Sequence, residues 1–106
     1  ITVALDAGED KVLVIGEKMN EIHEQAYMNG YNWSAFFTFY LNQNFPDVLI
    51  GTYDNSEGGT YVVHYELNDE NEKRANQLIS IIIELIENES QIYKVVQENG
   101  DEIEWD

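Results

Sequence analysis

The chain has 106 residues, no cysteine, five Lys and Arg against 21 Asp and Glu, and a formal charge of −16. That length suits one domain with one core, which buries enough surface to fold without a disulfide or metal staple. The composition removes disulfides, thiolate metal sites and cysteine nucleophiles, and the charge repels nucleic acid and anionic membrane.

No run reaches the roughly 20 apolar residues of a membrane span. The first residues carry neither the basic region nor the apolar stretch of a signal peptide, while Ile1 stands where an initiator Met would and leaves a removed segment open. Acidity rises along the chain: residues 1–53 hold 2 basic and 7 acidic groups, and residues 54–106 hold 3 and 14. Such a surface keeps a protein dispersed, and its field also draws in a basic partner.

In chain order, TVALD (2–6) and VLVIG (12–16) read as short β runs across the turn-rich residues 7–11, an antiparallel pair. Residues 18–29 place Met19, Ile22 and Ala26 at helical spacing among polar groups, which suits a loop or a short helix. Asn32 then offers a side-chain oxygen as N-cap. On the helix that follows, Trp33, Phe36, Phe37, Tyr40 and Leu41 fall within an arc of about 140°, the width of a core-facing stripe. Burying five such side chains contributes on the order of 10 kcal/mol before entropy, so this stripe reads as scaffold. Phe39 points about 120° from the stripe's centre and reads either as covered by a neighbouring loop or as an exposed contact residue. Pro46 ends the helix by driving Phe45 out of helical geometry.

VLIGTY (48–53) and TYVVHYE (60–66) flank Asp54-Asn55-Ser56-Glu57-Gly58-Gly59, a hairpin pattern of β-branched and aromatic arms around turn residues. The connection is not a calcium loop. Counted from Asp54, its fifth position is Gly58 and its twelfth is Tyr65, where an EF-hand needs oxygen ligands. Residues 69–88 carry the strongest helical pattern. Asp69 and Glu72 form a capping-box-like start, and Asp69 with Lys73 and Glu70 with Arg74 are i, i+4 pairs. Ala75, Leu78, Ile79, Ile81, Ile82, Ile83, Leu85 and Ile86 cover about 200°, as in a helix laid across a sheet. In the tail, SQIYKVVQENGDEIEWD, Ser90 caps a helix that stops at Asn99-Gly100, or Asn-Gly turns a hairpin; the helix is favoured. Glu102, Glu104 and Asp106 alternate with Ile103 and Trp105, an acidic end with an apolar anchor. The expected fold is therefore a single α+β domain over residues 1–106, an antiparallel sheet of about four strands with two or three helices packed on one face.

Catalytic constellations are missing. His23 and His64, the only histidines, lack metal-site spacing such as H-E-x-x-H. Ser34, Ser56, Ser80 and Ser90 have no nucleophile-elbow context, and no Gly-rich turn opens a helix after a strand to hold phosphate. So many carboxylates make a chance pair at glycosidase distance uninformative. The expectation is a binding protein rather than an enzyme, with no catalytic residue, no metal and no cofactor.

Gly30-Tyr31-Asn32-Trp33 opening a helix, Tyr53-Asp54-Asn55-Ser56-Glu57 between strands, a long helix and an acidic Trp-containing tail together resemble, in that order, the immunity protein 51 family of bacterial polymorphic toxin systems. The resemblance covers most of the chain, and the G-Y-x-W segment fits best. Where the family tends to read Phe-Asp-Pro-Glu-Ala, this chain keeps the aromatic residue and Asp54, lacks the Pro and displaces the Glu by one to Glu57. The resemblance implies a cytoplasmic protein that binds and neutralises a cognate toxin from the same lineage. Joined with the charge, it points to a partner with a basic domain, such as a nuclease, whose active-site cleft is occluded by carboxylates. Asp54 and Glu57 in the loop, Asp69 and Glu70 at the start of the long helix, and Glu102, Glu104 and Asp106 in the tail are the expected contacts, because acidic groups concentrate there. The competing reading is a nucleic-acid mimic that inhibits a DNA-binding protein, expected if the carboxylates are spaced along one face as phosphates are; a small adaptor module is the third. Monomer and dimer stay open.

Overall fold

The computed structural model describes all 106 residues. The chain runs β1 (Thr2–Asp6), α1 (Asp10–Ile22), α2 (Gly30–Asn44), a 3-10 turn (Pro46–Leu49), β2 (Tyr53–Asp54), β3 (Thr60–His64), α3 (Asp69–Glu87), α4 (Glu89–Asn99) and a second 3-10 turn (Gly100–Glu102). The class is α+β, as expected. The sheet has three antiparallel strands in the order β1-β3-β2 rather than about four, and there are four α-helices rather than two or three. Val3, Tyr61, Val63 and Tyr65 are buried, while Thr2, Ala4 and Asp6 are exposed, so the helices cover one face of the sheet. No helix is long and apolar enough to cross a membrane.

The missing strand is residues 12–16, which form the first turns of α1 instead of a hairpin with β1. Val12, Ile15, Gly16 and Met19 are all buried, the i, i+3, i+4, i+7 spacing of a helix, whereas Leu13 and Val14 stay half exposed. The β preference of Val and Ile is weak, and burial of one helical stripe overrides it. The local start signals agree with the helix. Asp6 Oδ1 accepts the Gly8 N–H at 2.9 Å, the Glu9 carboxylate accepts the Val12 N–H at 3.3 Å, and Asp10 places negative charge at the helix N-terminus. β1 pairs with β3 instead, Val3 lying opposite Val63.

A second correction concerns residues 48–53. Pro46 sits at the first position of the 3-10 turn, where its fixed φ fits and its missing N–H is no loss, and the chain becomes extended only at Tyr53. Gly51, at φ +74°, makes the left-handed step between turn and strand that other residues resist. The hairpin itself is present but short-armed: Tyr53 and Asp54 pair with His64 and Val63, and Glu57 pairs with Thr60 across Gly58-Gly59.

Both long helices begin with the same device. The cap of α2 is Asn29 rather than Asn32, its side chain accepting the Asn32 N–H at 2.9 Å; the cap of α3 is Asn68 rather than Asp69, accepting the Asn71 N–H at 2.8 Å. In each case the second Asn is buried and its amide donates back to a loop carbonyl five residues earlier, Asn32 to Tyr27 and Asn71 to Glu66. Sequence alone leaves the cap ambiguous because Asn, Asp and Ser are all competent caps.

The aromatic stripe is core. Trp33, Phe36, Phe37 and Leu41 are fully buried, Trp33 stacks on Phe37 at 5.5 Å, and Phe37 meets Tyr61 of β3 at 4.8 Å; Tyr40 is only partly buried. On α3 the buried stripe is narrower than 200°, since Ile79 and Ile83 remain half exposed. Of the two expected i, i+4 pairs on that helix, Glu70 and Arg74 approach to 4.0 Å. Residues 89–99 form a helix rather than a hairpin arm, although Ser90 does not cap it: Asn88 ends α3 with its N–H on Glu84 O at 2.9 Å, and α4 follows at once.

Gly30 shows why the G-Y-x-W segment opens with glycine. The first turn of α2 is pressed against the β2–β3 turn, and the Gly30 N–H donates to Gly58 O at 2.9 Å. A Cβ there would stand 1.9 Å from Glu57 O and 2.5 Å from Thr60 O, backbone atoms that cannot swing aside. Gly30→Ala should therefore destabilise the fold by about 3 kcal/mol or more, at the upper end of overpacking costs, which urea unfolding will show as a lowered midpoint.

Burial raises the pKa of Tyr61, with Asp54 and then Tyr65 adding to it, and burial also raises Tyr40, Tyr65 and Tyr93. The folded state thus holds phenolic protons that the unfolded chain releases near pH 10, so stability is intact below about pH 10 and falls as pH rises above it. Urea midpoints at pH 9, 10.5 and 11.5 should decline in that order, with tyrosinate absorbance appearing together with unfolding.

Candidate functional site

α2 has a second face. Tyr31, Ser34, Ala35, Thr38, Phe39, Asn42 and Gln43 recur at steps of three and four residues beside the aromatic stripe, with Ala35 and Phe39 still packed partly against the core. They form the floor of an open groove of about 650 Å³, walled by Asp54 and Ser56 from the hairpin and by Glu102, Glu104, Trp105 and Asp106 from the tail. From Tyr31 to Gln43 the floor runs about 18 Å at the helical rise. Phe39 is half-buried in this floor, which resolves its two sequence readings: the hairpin and tail flank it without covering it.

Each wall is built by hydrogen bonds. Asp54 Oδ1 accepts the Ser56 N–H at 2.8 Å, a local turn, and Asp54 Oδ2 accepts the Ser34 hydroxyl, tying the hairpin to α2. Ser56 Oγ accepts the Val62 N–H at 3.0 Å and so holds the loop to β3. On the tail side Ile103 is buried and the Trp105 indole N–H donates to Gly100 O at 2.9 Å. The Asp106 N–H donates to Asn32 Oδ1 at 2.6 Å, so the Asn32 amide joins the 23–29 loop, α2 and the tail. His23 adds a further latch: its Nδ1 accepts the Gln25 N–H, which leaves Nε2 to donate to Asp101 Oδ1 at 2.9 Å, while its ring lies 5.9 Å from that of Trp105.

The groove holds four carboxylates, Asp54, Glu102, Glu104 and Asp106, and no basic side chain lines it. All five cations of the chain, Lys11, Lys18, Lys73, Arg74 and Lys94, lie on α1, α3 and α4. Lys18 is engaged by Glu89 at 3.7 Å, and Arg74 by Asn71 at 2.8 Å. The negative potential of the groove is thus not neutralised from within, and its rim of carboxylates over a partly aromatic floor can hold a cation whose apolar stem is also covered.

Four of the seven predicted contact residues therefore meet at one place. Glu57 lies on the hairpin turn outside the groove lining, and Asp69 and Glu70 stand in the first turn of α3, exposed and likewise apart from it. Tyr31, Ser34, Thr38, Asn42 and Gln43 were not singled out from the sequence; their only signal is a second, mixed stripe on a helix whose aromatic stripe dominates the pattern. No three His, Asp or Glu side chains converge as metal ligands. The Ser34–Asp54 contact contains no imidazole to relay a proton, since His64 is bonded to Thr2 at 2.8 Å and to Asn55 at 3.3 Å.

Among known families, the model described as Immunity protein 51 matches residues 1–101. No curated protein and no solved structure matches the chain. The family match stops one residue short of Glu102, so the tail wall of the groove lies beyond it.

The tail's position depends on Asn32. Asn32→Ala leaves the Tyr27 carbonyl and the Asp106 N–H without their partner in a largely buried place, a loss of about 2 kcal/mol or more. Faster hydrogen exchange at the Asp106 amide and the Trp105 indole, beyond what global destabilisation produces at α4, is the expected local signature.

Proposed function

The chain belongs to the immunity protein 51 family, and we propose that it binds and neutralises a cognate bacterial toxin domain by setting the carboxylates of this groove against a basic surface of that domain. Family membership supports toxin immunity, and the single observation that supports the mechanism is a groove with four carboxylates and no lining cation. A toxin that attacks nucleic acid needs cationic side chains where phosphates bind, and carboxylates compete for those side chains. Neutralisation is then steric and electrostatic occlusion, with no bond made or broken. Glu57, Asp69 and Glu70, outside the groove, add to the field that steers the partner in. The protein acts in the cytoplasm of the producing cell as part of a polymorphic toxin system, and neither nucleic acid nor membrane is its partner.

Nucleic-acid mimicry calls for carboxylates spaced along one face as phosphates are. Here Asp54 and the tail carboxylates gather about one groove, which favours occlusion of a single cleft.

The test is association with the toxin domain encoded beside this protein in the producing bacterium, measured together with inhibition of that toxin. Association should slow at least tenfold between 50 and 500 mM salt, because screening removes steering. The triple change Glu102→Gln, Glu104→Gln, Asp106→Asn should lower affinity by about tenfold or more and flatten the salt dependence. Salt-independent association, or full inhibition by the triple variant, would falsify the electrostatic mechanism.

A further inference from the structure

We infer that the groove receives a short extended segment of the toxin bearing arginine side chains, each guanidinium lying against one of the lining's aromatic rings, Tyr31 or Phe39 in the floor or Trp105 in the tail wall, and bonded by the rim carboxylates; the inference rests on the neutralisation reading above. The occupant follows from what the groove offers. Its carboxylates are acceptors only, and no cation of the chain reaches them, so a purely apolar or an acidic segment would leave charges unpaired or opposed. A basic segment satisfies them.

Arginine fits better than lysine for two reasons that the lining residues supply. Its planar fork can meet more than one carboxylate at once and can rest its face on an aromatic ring, whereas an ammonium is a compact, strongly hydrated charge with no plane to stack. Tyr31 and Phe39 stand two helical turns apart on the same face of α2, and Trp105 is held in the tail wall by its bond to Gly100. The floor carries Phe39 and Ala35 beside Ser34, Thr38, Asn42 and Gln43, so the flanking backbone of the segment finds amide and hydroxyl partners. A floor of about 18 Å accommodates about five or six extended residues.

Isotope-labelled full-length protein titrated with hexapeptides of alternating Arg-Leu, Lys-Leu and Glu-Leu, followed by amide and indole resonances, tests this directly. The Arg-Leu peptide should shift the Trp105 indole and the amides around Phe39 in a saturable way, with a dissociation constant about tenfold below that of the Lys-Leu peptide, and the Glu-Leu peptide should shift neither. Phe39→Leu, which removes the ring but keeps an apolar side chain against the core, and, on a residue that is half exposed already, Tyr31→Ser should each weaken Arg-Leu binding several-fold with the rest of the spectrum unchanged, while Ile79→Ser on the outer side of α3 should not. Equal binding of the two basic peptides, or shifts spread over the α3 N-terminus without saturation, overturns the arginine assignment. If that happens while toxin inhibition still depends on Glu102, Glu104 and Asp106, the neutralisation reading survives. If the peptide binds as expected but those changes leave toxin inhibition intact, the groove carboxylates are not what neutralises the toxin, and it is the electrostatic mechanism that falls.

Discussion

The first turn of α2 is the constraint on which the rest of the structure depends. Within four residues Asn29 caps the helix, Gly30 lets it lie directly on the β2–β3 turn, and Asn32 binds the preceding loop and the distant tail. Most buried polar groups keep their partners, and Asn32, 2% exposed, draws its own from two separate parts of the chain, the loop before α2 and the tail. The direction of α2, the seat of the hairpin and the path of the tail are thereby set together. The opposite end of the helix is less demanding, since Pro46 and the 3-10 turn only end it and bury Val48.

From that fixed start α2 works on both sides. Its aromatic side builds the core with β3, and its mixed side becomes a floor because the two segments tied to its first turn, hairpin and tail, rise on either flank. The walls are therefore tied by hydrogen bonds to the helix that builds the core. A cleft held by hydrogen bonds to the scaffold loses less freedom on binding than one made of loose loops, and so more of the interaction is retained as affinity.

The distribution of charge has the same logic. Exposed carboxylates are cheap for the free protein to keep apart in water, but their mutual repulsion persists until a cation arrives. The five cations that could have relieved it lie on α1, α3 and α4, with Lys18 and Arg74 occupied there. The family relation and this unrelieved potential are independent observations, one of ancestry, which implies a toxin partner, and one of physics, which suits a partner of opposite charge.

The sequence by itself determined the features that depend on composition or on a strong local period: the acidity, the α+β class, the aromatic core stripe of α2 and the long α3, together with the likeness of Gly30-Tyr31-Asn32-Trp33 that the family match later bore out, while the tail stayed open between helix and hairpin. Only the tertiary structure decided matters in which local preference is weak or ambiguous. Val12 to Gly16 looked extended because β-branched residues suit strands, yet a helix buries Val12, Ile15, Gly16 and Met19 together, and that burial outweighs propensity. The caps moved to Asn29 and Asn68 because several adjacent side chains could serve and packing selects one. Above all, no pattern along the chain says that Asp54 and Asp106, fifty-two positions apart, share a groove. That proximity is created by long-range hydrogen bonds and by burial of Ile103, and one-dimensional periodicity carries no record of them.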